Sequence, residues 1–413
     1  MSSDIYPGTT HDYIITVTDN YRPDTPAALY IGLDGILCNA PQVMDSLSAT
    51  GIIPPMIGVF VQPGIIKNDR GTVLRYNRSN EFDAVNSHFA SFIESELLPA
   101  VDGTIMPDGR KIILPSNPES RMIMGLSSGG IAAFNAAFRR PDLIAKVYTG
   151  CGTFVPMRGG EQVQALVRKT EPAPIRYYIQ DGFSDTWNPL FGSWFEANTL
   201  VNSAIEFAGY DCDHDWAEGG HSVRRTAQIF PQVMTWMWRD WPEPHTMPAS
   251  QNSTLQEIIA EGEYTWGPCE SIPDAEHAPR TEALYPDSTL VATAVPGASR
   301  ILQSIINPAD GRRMYTQPFY YLHATQADDA QIRDMQFDDN GNLWVLTADG
   351  IQICDQNGRV RAILRLPVKH DISTITLLDG RVVLKCSDGS TLSRKFNVAP
   401  AKAGTCPKSQ GQA

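Results

Sequence analysis

The sequence predicts an α/β protein: a mostly parallel sheet with helices on both faces, followed by a small C-terminal antiparallel all-β domain. Three observations predict it. Between residues 12 and 241, short apolar runs of strand length alternate with longer segments of helical periodicity, the pattern of a sheet buried on both sides. After about residue 289 the helical segments stop and Asx-Gly pairs recur, at Asp310-Gly311, Asn340-Gly341, Asp349-Gly350, Asn357-Gly358, Asp379-Gly380 and Asp388-Gly389. Such pairs at close spacing mark hairpin turns between antiparallel strands. Finally, 413 residues with 42% hydrophobic and 19% charged side chains can bury a sizeable core and exceed the length of one typical domain.

In chain order, residues 12–18 (DYIITVT) and 28–33 (ALYIGL) read as strands, and 41–49 (PQVMDSLSA) as a short helix. The run 56–62 (MIGVFVQ) reads as a buried strand. The uncharged stretch around it, 46–66, is broken by Gly51, Pro54, Pro55, Gly58, Pro63 and Gly64, so it is too interrupted to span a membrane. From 81 to 98, Phe82, Val85, Phe89, Phe92 and Leu97 recur at helical spacing and predict one helix. Residues 121–126 (RMIMGL) form an apolar run ended by serines and glycines, and 131–138 (IAAFNAAF) form a helix stopped before Pro141. Two further buried strands are expected at 145–151 and 175–180, and helices at 191–208 and 224–238. The proline cluster Pro242, Pro244 and Pro248 opens a stretch, 243–287, with nine acidic residues against one basic, Arg280; it reads as a linker or surface segment. The expected organisation is therefore a first domain over 1–242, an acidic proline-rich segment over 243–288, an accessory β-domain over 289–402 and a flexible tail over 403–413.

Composition excludes several functions. With 33 basic against 46 acidic residues the net charge is −13, which offers no electrostatic footprint for nucleic acid. The opening MSSDIYPGTTHDY lacks a basic and an apolar region, so no secretory signal is expected in this chain. Seven widely spaced cysteines without a CxxC pair signal neither a zinc site nor a disulfide framework. The acidic run Asp211, Asp213, His214 and Asp215 reads as a solvated strand edge rather than a metal site, and Asp338-Asp339-Asn340-Gly341-Asn342 as a hairpin turn without the later Glu of a calcium loop.

The chemistry lies in Gly125-Leu126-Ser127-Ser128-Gly129, a G-x-S-x-G pattern between an expected strand and an expected helix. A sharp strand-to-helix turn flanked by small residues lets a serine hydroxyl project, with the next backbone N–H facing a substrate. A serine hydroxyl is a weak nucleophile without a base. Of the eight histidines, His221 in Glu218-Gly219-Gly220-His221-Ser222 is best placed, in a glycine loop before the last helix of the alternating region. The orienting acid should lie between them, just past a strand, and Asp181-Gly182-Phe183-Ser184-Asp185 offers two aspartates. Asp185, further into the loop, is the preferred partner of His221, with Asp181 expected to organise the loop backbone. The order Ser127, Asp185, His221 is that of an α/β-hydrolase. Trp187, Trp194 and Trp216 lie near the acid and base in sequence and are candidates for lining an acyl pocket. Arg75, with Arg70 and Arg78 in an expected polar loop, is a candidate for touching an anionic or sugar group.

Residues from about Tyr6 to Pro242 resemble the putative-esterase family of α/β-hydrolases, which includes enterochelin esterases, feruloyl and acetyl-xylan esterases of carbohydrate esterase family 1, esterase D and mycolyltransferases. The pieces that carry the resemblance are Leu33-Asp34-Gly35, Ile57-Gly58-Val59-Phe60-Val61, Glu96-Leu97-Leu98-Pro99, Gly125-Leu126-Ser127-Ser128-Gly129-Gly130, Gln180-Asp181-Gly182 with Asp185, and Glu218-Gly219-Gly220-His221. It implies a serine esterase with no metal or other cofactor, acting on a small-molecule or oligosaccharide ester. It also implies an oxyanion hole made by the backbone N–H groups of Ile36 and Ser128. Relatives often carry Asn-Asp where this chain has Ser184-Asp185. Within 328–367, NGNLWVLTADGIQICDQNGRV resembles a blade of a gluconolactonase-type β-propeller; a β-region of this length is too short for a closed six-bladed ring.

Plant-polysaccharide esters, feruloyl or acetyl, are the leading substrate class. A siderophore trilactone is the alternative; a catecholate siderophore is strongly anionic and needs a basic cleft that this acidic chain supplies sparsely. Of another class are a non-catalytic binding module and a lactonase working through the β-domain. Loss of the serine, acid or base would favour the first, and a full set of metal-binding blades the second.

Overall fold

The structure, a computed structural model, describes residues 1–260, 262–270, 277–324, 331–402 and 404. Positions 261 and 271–276 of the acidic segment, 328–330 of the blade-like stretch, and the tail apart from Gly404, with Cys406, lie outside the described residues. The chain divides into two compact units: Met1–Val167 with Pro172–Ala249, and Arg168–Glu171 with Ser250–Ala413.

The first unit opens with β1 (Tyr13–Val17), β2 (Ala28–Leu33), α1 (Ala40–Ala49) and β3 (Met56–Val61), followed by a hairpin of β4 (Ile65–Lys67) and β5 (Val73–Tyr76). A helical stretch follows as α2 (Arg78–Phe82), α3 (His88–Phe92), a wide π turn (Ile93–Leu97) and α4 (Leu98–Val101). Then come β6 (Arg121–Leu126), α5 (Ser128–Arg139), β7 (Lys146–Gly150), α6 (Val163–Lys169) and β8 (Arg176–Gly182). The unit ends with the short pair β9 (Trp187–Asn188) and β10 (Gly192–Ser193), then α7 (Trp194–Phe207), β11 (Asp211–Ala217) and α8 (Val223–Met237). No helix among the described residues is long and apolar enough to cross a membrane.

One seven-stranded sheet organises this unit, in the order β1-β3-β2-β6-β7-β8-β11. Every neighbouring pair is parallel except β1 with β3, where Ile14 lies across from Phe60. This is the α/β-hydrolase architecture. β2, β3 and β7 are buried along their whole length, as strands covered on both faces must be. On one face Tyr30, Met56, Phe60, Met124 and Tyr148 pack with Met44 of α1 and Phe230 and Met234 of α8. On the other, Phe134 of α5 stacks on Tyr177 with ring centroids 4.9 Å apart and meets Phe154 edge-on at 5.5 Å. Each such side chain contributes about 1.5–3 kcal/mol relative to exposure. The chain leaves β2 toward β3 but lies beside β6 on the other side, so the direction of winding reverses between β2 and β6. The carboxyl ends of strands at such a reversal form an open crevice.

The single helix expected over 81–98 is broken at residues 83–87. Side-chain Nδ2 of Asn135, on α5, donates to the carbonyls of Ala84 and Asn86, satisfying backbone groups that a continuous helix would have paired within itself. Pro99 has no N–H to give, and the π turn just before it absorbs the mismatch.

At the opposite end of the sheet, Arg176 is buried and forks to Asp240 at 2.8 and 2.5 Å, with Asp211 at 2.7 Å. Lys146 beside it lies 4.7 Å from the Trp238 ring and 3.1 Å from Nε2 of His245. Burial and the neighbouring cations push Lys146 down to about 7 and His245 down to about 4. An unfolded His245 takes its proton near pH 6.5 and the folded one only near 4, so acid favours the unfolded chain through that window. His245→Gln is therefore expected to keep a higher Tm than wild type as the pH falls from 6.5 to 4, with no divergence above. Calorimetry across that range checks it; parallel curves would refute the role of His245.

The second unit contains α9 (Ser253–Ile258) and three four-stranded antiparallel sheets. With β12 (Gly267–Pro268) assigned to the last, the first sheet is β13 (Glu282–Leu284), β14 (Leu290–Ala294), β15 (Arg300–Ile306) and β16 (Arg313–Tyr321). The second is β17 (Asp334–Phe337), β18 (Leu343–Thr347), β19 (Gly350–Cys354) and β20 (Val360–Leu364). The third is β21 (Ile372–Leu378), β22 (Arg381–Cys386) and β23 (Thr391–Lys395), with β12 on its outer side. α9, β12 and β13 all fall in the stretch expected to be an irregular segment. The glycine of each expected Asx-Gly turn has a positive φ, a conformation L side chains rarely adopt. Trp344, Ile353, Ile375, Leu384 and Phe396 centre the core. The Asp338 carboxylate accepts the N–H groups of Asn340 and Asn342 and the indole N–H of Trp344, so the acidic run there is spent on its own turn.

Candidate active site

Ser127 stands between the end of β6 and the start of α5, in the crevice beside β2. Its φ of 57° and ψ of −120° are unfavourable for a non-glycine residue, at a cost of about 1–3 kcal/mol. The surroundings enforce that geometry. Its N–H donates to Gly150 O at 2.9 Å, and its carbonyl accepts from Gly130 and Thr153 at 2.9 and 3.0 Å. Gly125 cannot be replaced here, since a Cβ would collide with the carbonyl of Gly129. The sharp turn aims the hydroxyl out of the sheet.

His221 lies in the loop between β11 and α8, and Asp185 in the loop after β8. The structure brings the three together: Nε2 of His221 is 2.8 Å from Oγ of Ser127, and Nδ1 is 2.7 Å from Oδ1 of Asp185. The Asp185 side chain is fully buried, whereas the His221 side chain is 31% exposed, so the imidazole opens to the crevice while its carboxylate partner does not. Burial works to raise Asp185, but hydrogen bonds from His221, Asp181 and the Thr186 N–H hold it below the usual carboxylate range. Asp181 is displaced the other way. Burial, and then the adjacent Asp185, push it well above the usual carboxylate range. In this geometry the hydroxyl proton can pass to an imidazole whose cation a buried carboxylate stabilises.

The loop after β2 carries Asp34 and Gly35 at positive φ, 62° and 82°. Arg78 holds it by a two-point contact, Nε to Oδ1 of Asp34 at 2.7 Å and Nη2 to Oδ2 at 2.8 Å. Gln62 adds a bond to the Asp34 carbonyl at 3.2 Å. Ile36 follows, 44% exposed at the crevice. Ser128 opens α5, where first-turn N–H groups have no intrahelical acceptor.

The remaining candidates separate. Trp194 is buried, with its ring 6.1 Å from that of His221 and its indole N–H donating to Oγ1 of Thr153 at 3.3 Å. Trp187 is 71% exposed on the β9–β10 hairpin, whose tip carries Leu190 at 78%. Trp216, on β11, stacks on His214 at 4.8 Å and meets Phe195 at 5.7 Å. Arg75 is exposed on β5, so Arg70 and Arg75 belong to a hairpin and Arg78 to a helix start, rather than to one polar loop. Two of the β11 carboxylates pair with arginines, Asp211 with Arg176 and Arg239 and Asp215 with Arg225, while Asp213 accepts the His214 N–H.

Among the described residues one group of three could offer ligands to a metal: Cys151, Asp185 and His221, whose ligand atoms lie within 4.8 Å of one another. Its carboxylate and imidazole are already bonded to each other, and burial pushes the Cys151 thiol well up. Sequence reasoning missed Thr153, whose Oγ1 lies 3.2 Å from Oγ of Ser127, and the grip of Arg78 on Asp34. No local motif marks either.

The family described as putative esterase matches residues 8–260, more than half the chain. No curated protein matches. A ferulic acid esterase is similar at 17% identity with a TM-score of 0.39, over 55% of this chain and 98% of that one. An enterochelin esterase from Shigella flexneri is similar at 19% identity with a TM-score of 0.42, over 56% of this chain and 58% of that one. A protein titled as a putative gluconolactonase is similar over 30% of this chain and 40% of its own, at 16% identity and a TM-score of 0.26.

Proposed function

The chain belongs to the putative-esterase family and is a carboxylic-ester hydrolase, and from that premise we propose that it works by a Ser127–His221–Asp185 triad on feruloyl or acetyl esters of plant polysaccharides. His221 takes the proton of Ser127, which attacks the ester carbonyl. The N–H groups of Ile36 and Ser128 hold the oxyanion, each donor being worth roughly 3 kcal/mol in such sites. His221 then protonates the leaving alcohol, and water repeats the sequence to free the acid. The observation that carries this reading is the unbroken chain of contacts at 2.8 and 2.7 Å from Ser127 through His221 to a buried Asp185. Trp194, its ring 6.1 Å from that of His221, supplies aromatic surface beside that chain, with Trp187 and Trp216 as further candidates for the acyl pocket.

A second reading is a siderophore trilactone as substrate. It is favoured by exposed Lys67, Arg70 and Arg75 on the β4–β5 hairpin, which follows β3 at the sheet end carrying Ser127 and gives local positive charge to an acidic chain. Turnover of p-nitrophenyl acetate, methyl ferulate, feruloylated and acetylated xylan, and an enterobactin-type trilactone separates the two. Preference for the xylan esters is expected; a kcat/KM highest on the trilactone would establish the second reading instead, and no hydrolysis of any ester would refute both.

A further inference from the structure

We propose that Asp181 is a positioning residue that acts as a neutral carboxylic acid, its Oδ2–H donating to Oδ2 of Asp185 and so fixing the carboxylate that holds His221. The proposal rests on the triad reading above. Asp181 and Gly182 end β8, and the next residues fold back: Phe183 N–H donates to Ala217 O, Ser184 N–H to Gly219 O and Asp185 N–H to Gly182 O. That turn sets the two carboxyl groups side by side within hydrogen-bonding reach, both closed off from solvent.

The donors around them are unequal. Oδ1 of Asp185 receives His221 Nδ1 and the Thr186 N–H, while Oδ1 of Asp181 receives the Gly182 N–H at 2.7 Å and the Asp181 carboxyl meets the neutral Asn198 amide. Oδ2 of each is buried and receives no N–H or hydroxyl donor. Two carboxylates this close cannot both ionise without a large penalty, and two buried acceptor oxygens left without a donor are costly. One proton removes both costs. It belongs on Asp181, because the better-solvated anion is Asp185. The groups facing the pair from other elements do not alter this. Cys151, at the end of β7, stays a thiol; Asn198 of α7 gives its N–H groups to the carbonyls of Gly152 and Trp194 and keeps a bare, buried Oδ1, an acceptor that also favours a proton on Asp181; His221 is already engaged by Asp185.

Asparagine at 181 can reproduce the arrangement, with Oδ1 accepting from Gly182 and Nδ2 donating to Asp185. Leucine cannot. The test compares wild type, Asp181→Asn and Asp181→Leu on p-nitrophenyl acetate across pH, with active sites counted by a fluorophosphonate, alongside infrared difference spectra at neutral pH. Asp181→Asn should lose no more than about threefold in kcat. Asp181→Leu should lose about tenfold or more with KM little changed, and its acid limb should move to higher pH. Without the donor, the Asp185 charge is less stabilised and concentrates on the oxygen facing His221, which then keeps its proton longer. The infrared band of a neutral carboxyl should be present in wild type and absent in Asp181→Asn. Equal losses in Asn and Leu, an unshifted acid limb in Leu, or no neutral-carboxyl band would each overturn the proposal. The band is read without turnover, so it decides the state of Asp181 even if Leu fails to fold. Failure of wild type to hydrolyse esters or to label at Ser127 would instead overturn the triad reading.

Discussion

Replacing Ser127 with alanine is expected to lower kcat by about a hundred-thousand-fold or more while leaving the fold intact. Alanine keeps the same Cβ in the same strained backbone, and gives up only the hydrogen bonds of Oγ to His221 and Thr153. The unfolding midpoint should therefore stay close to that of wild type. A fluorophosphonate should label Ser127 and leave the buried Ser128 untouched. Labelling at Ser128, or appreciable turnover in the alanine protein, would remove Ser127 from its role.

The second large effect is expected at the acid. Asp185→Asn should lose about ten-thousand-fold in kcat/KM, the loss typical when the carboxylate that fixes the imidazole tautomer becomes an amide. Asp181→Asn should lose far less, because the direct bond to His221 comes from Asp185 and an asparagine at 181 can still donate to that carboxylate. Paired measurements on one ester decide the matter, and the reverse order would transfer the orienting role to Asp181.

The sheet was legible because its strands are apolar runs such as ALYIGL and MIGVFVQ, bounded by glycine and proline. The order of serine, acid and base was legible because the elbow needs small residues at fixed offsets, and residues 125–129 supply them. The helix break at 83–87 was not, since the apolar spacing runs on through it and the side chain that stabilises it, Asn135, is some fifty residues away. α6 is seven residues long, and Val163, Leu166 and Val167 mark its buried face over a single turn, too short a run for periodicity to signal. Arg78 looked like one of three loop arginines. What distinguishes it is a two-point contact with Asp34 across 44 residues, which spacing does not encode. The neighbourhood of Asp181 and Asp185 depends on how residues 182–184 turn against 217–219, a tertiary fact.

The β9–β10 hairpin has a consequence for how such an enzyme can diversify. It begins just after Asp185, and its base is closed by the N–H of Trp194 donating to Thr186 O at 3.0 Å. Beyond that closure α7 has its own cap, Oγ of Ser193 accepting from Glu196. Residues 188–192 therefore form a tip whose side chains are mostly outside the core, between two anchors that do not depend on them. Lengthening such a tip costs little, because loop entropy grows only slowly with length. Substitution and insertion there leave the serine, base and acid where they are. A library confined to this tip can therefore be made without first having to rebuild those three residues.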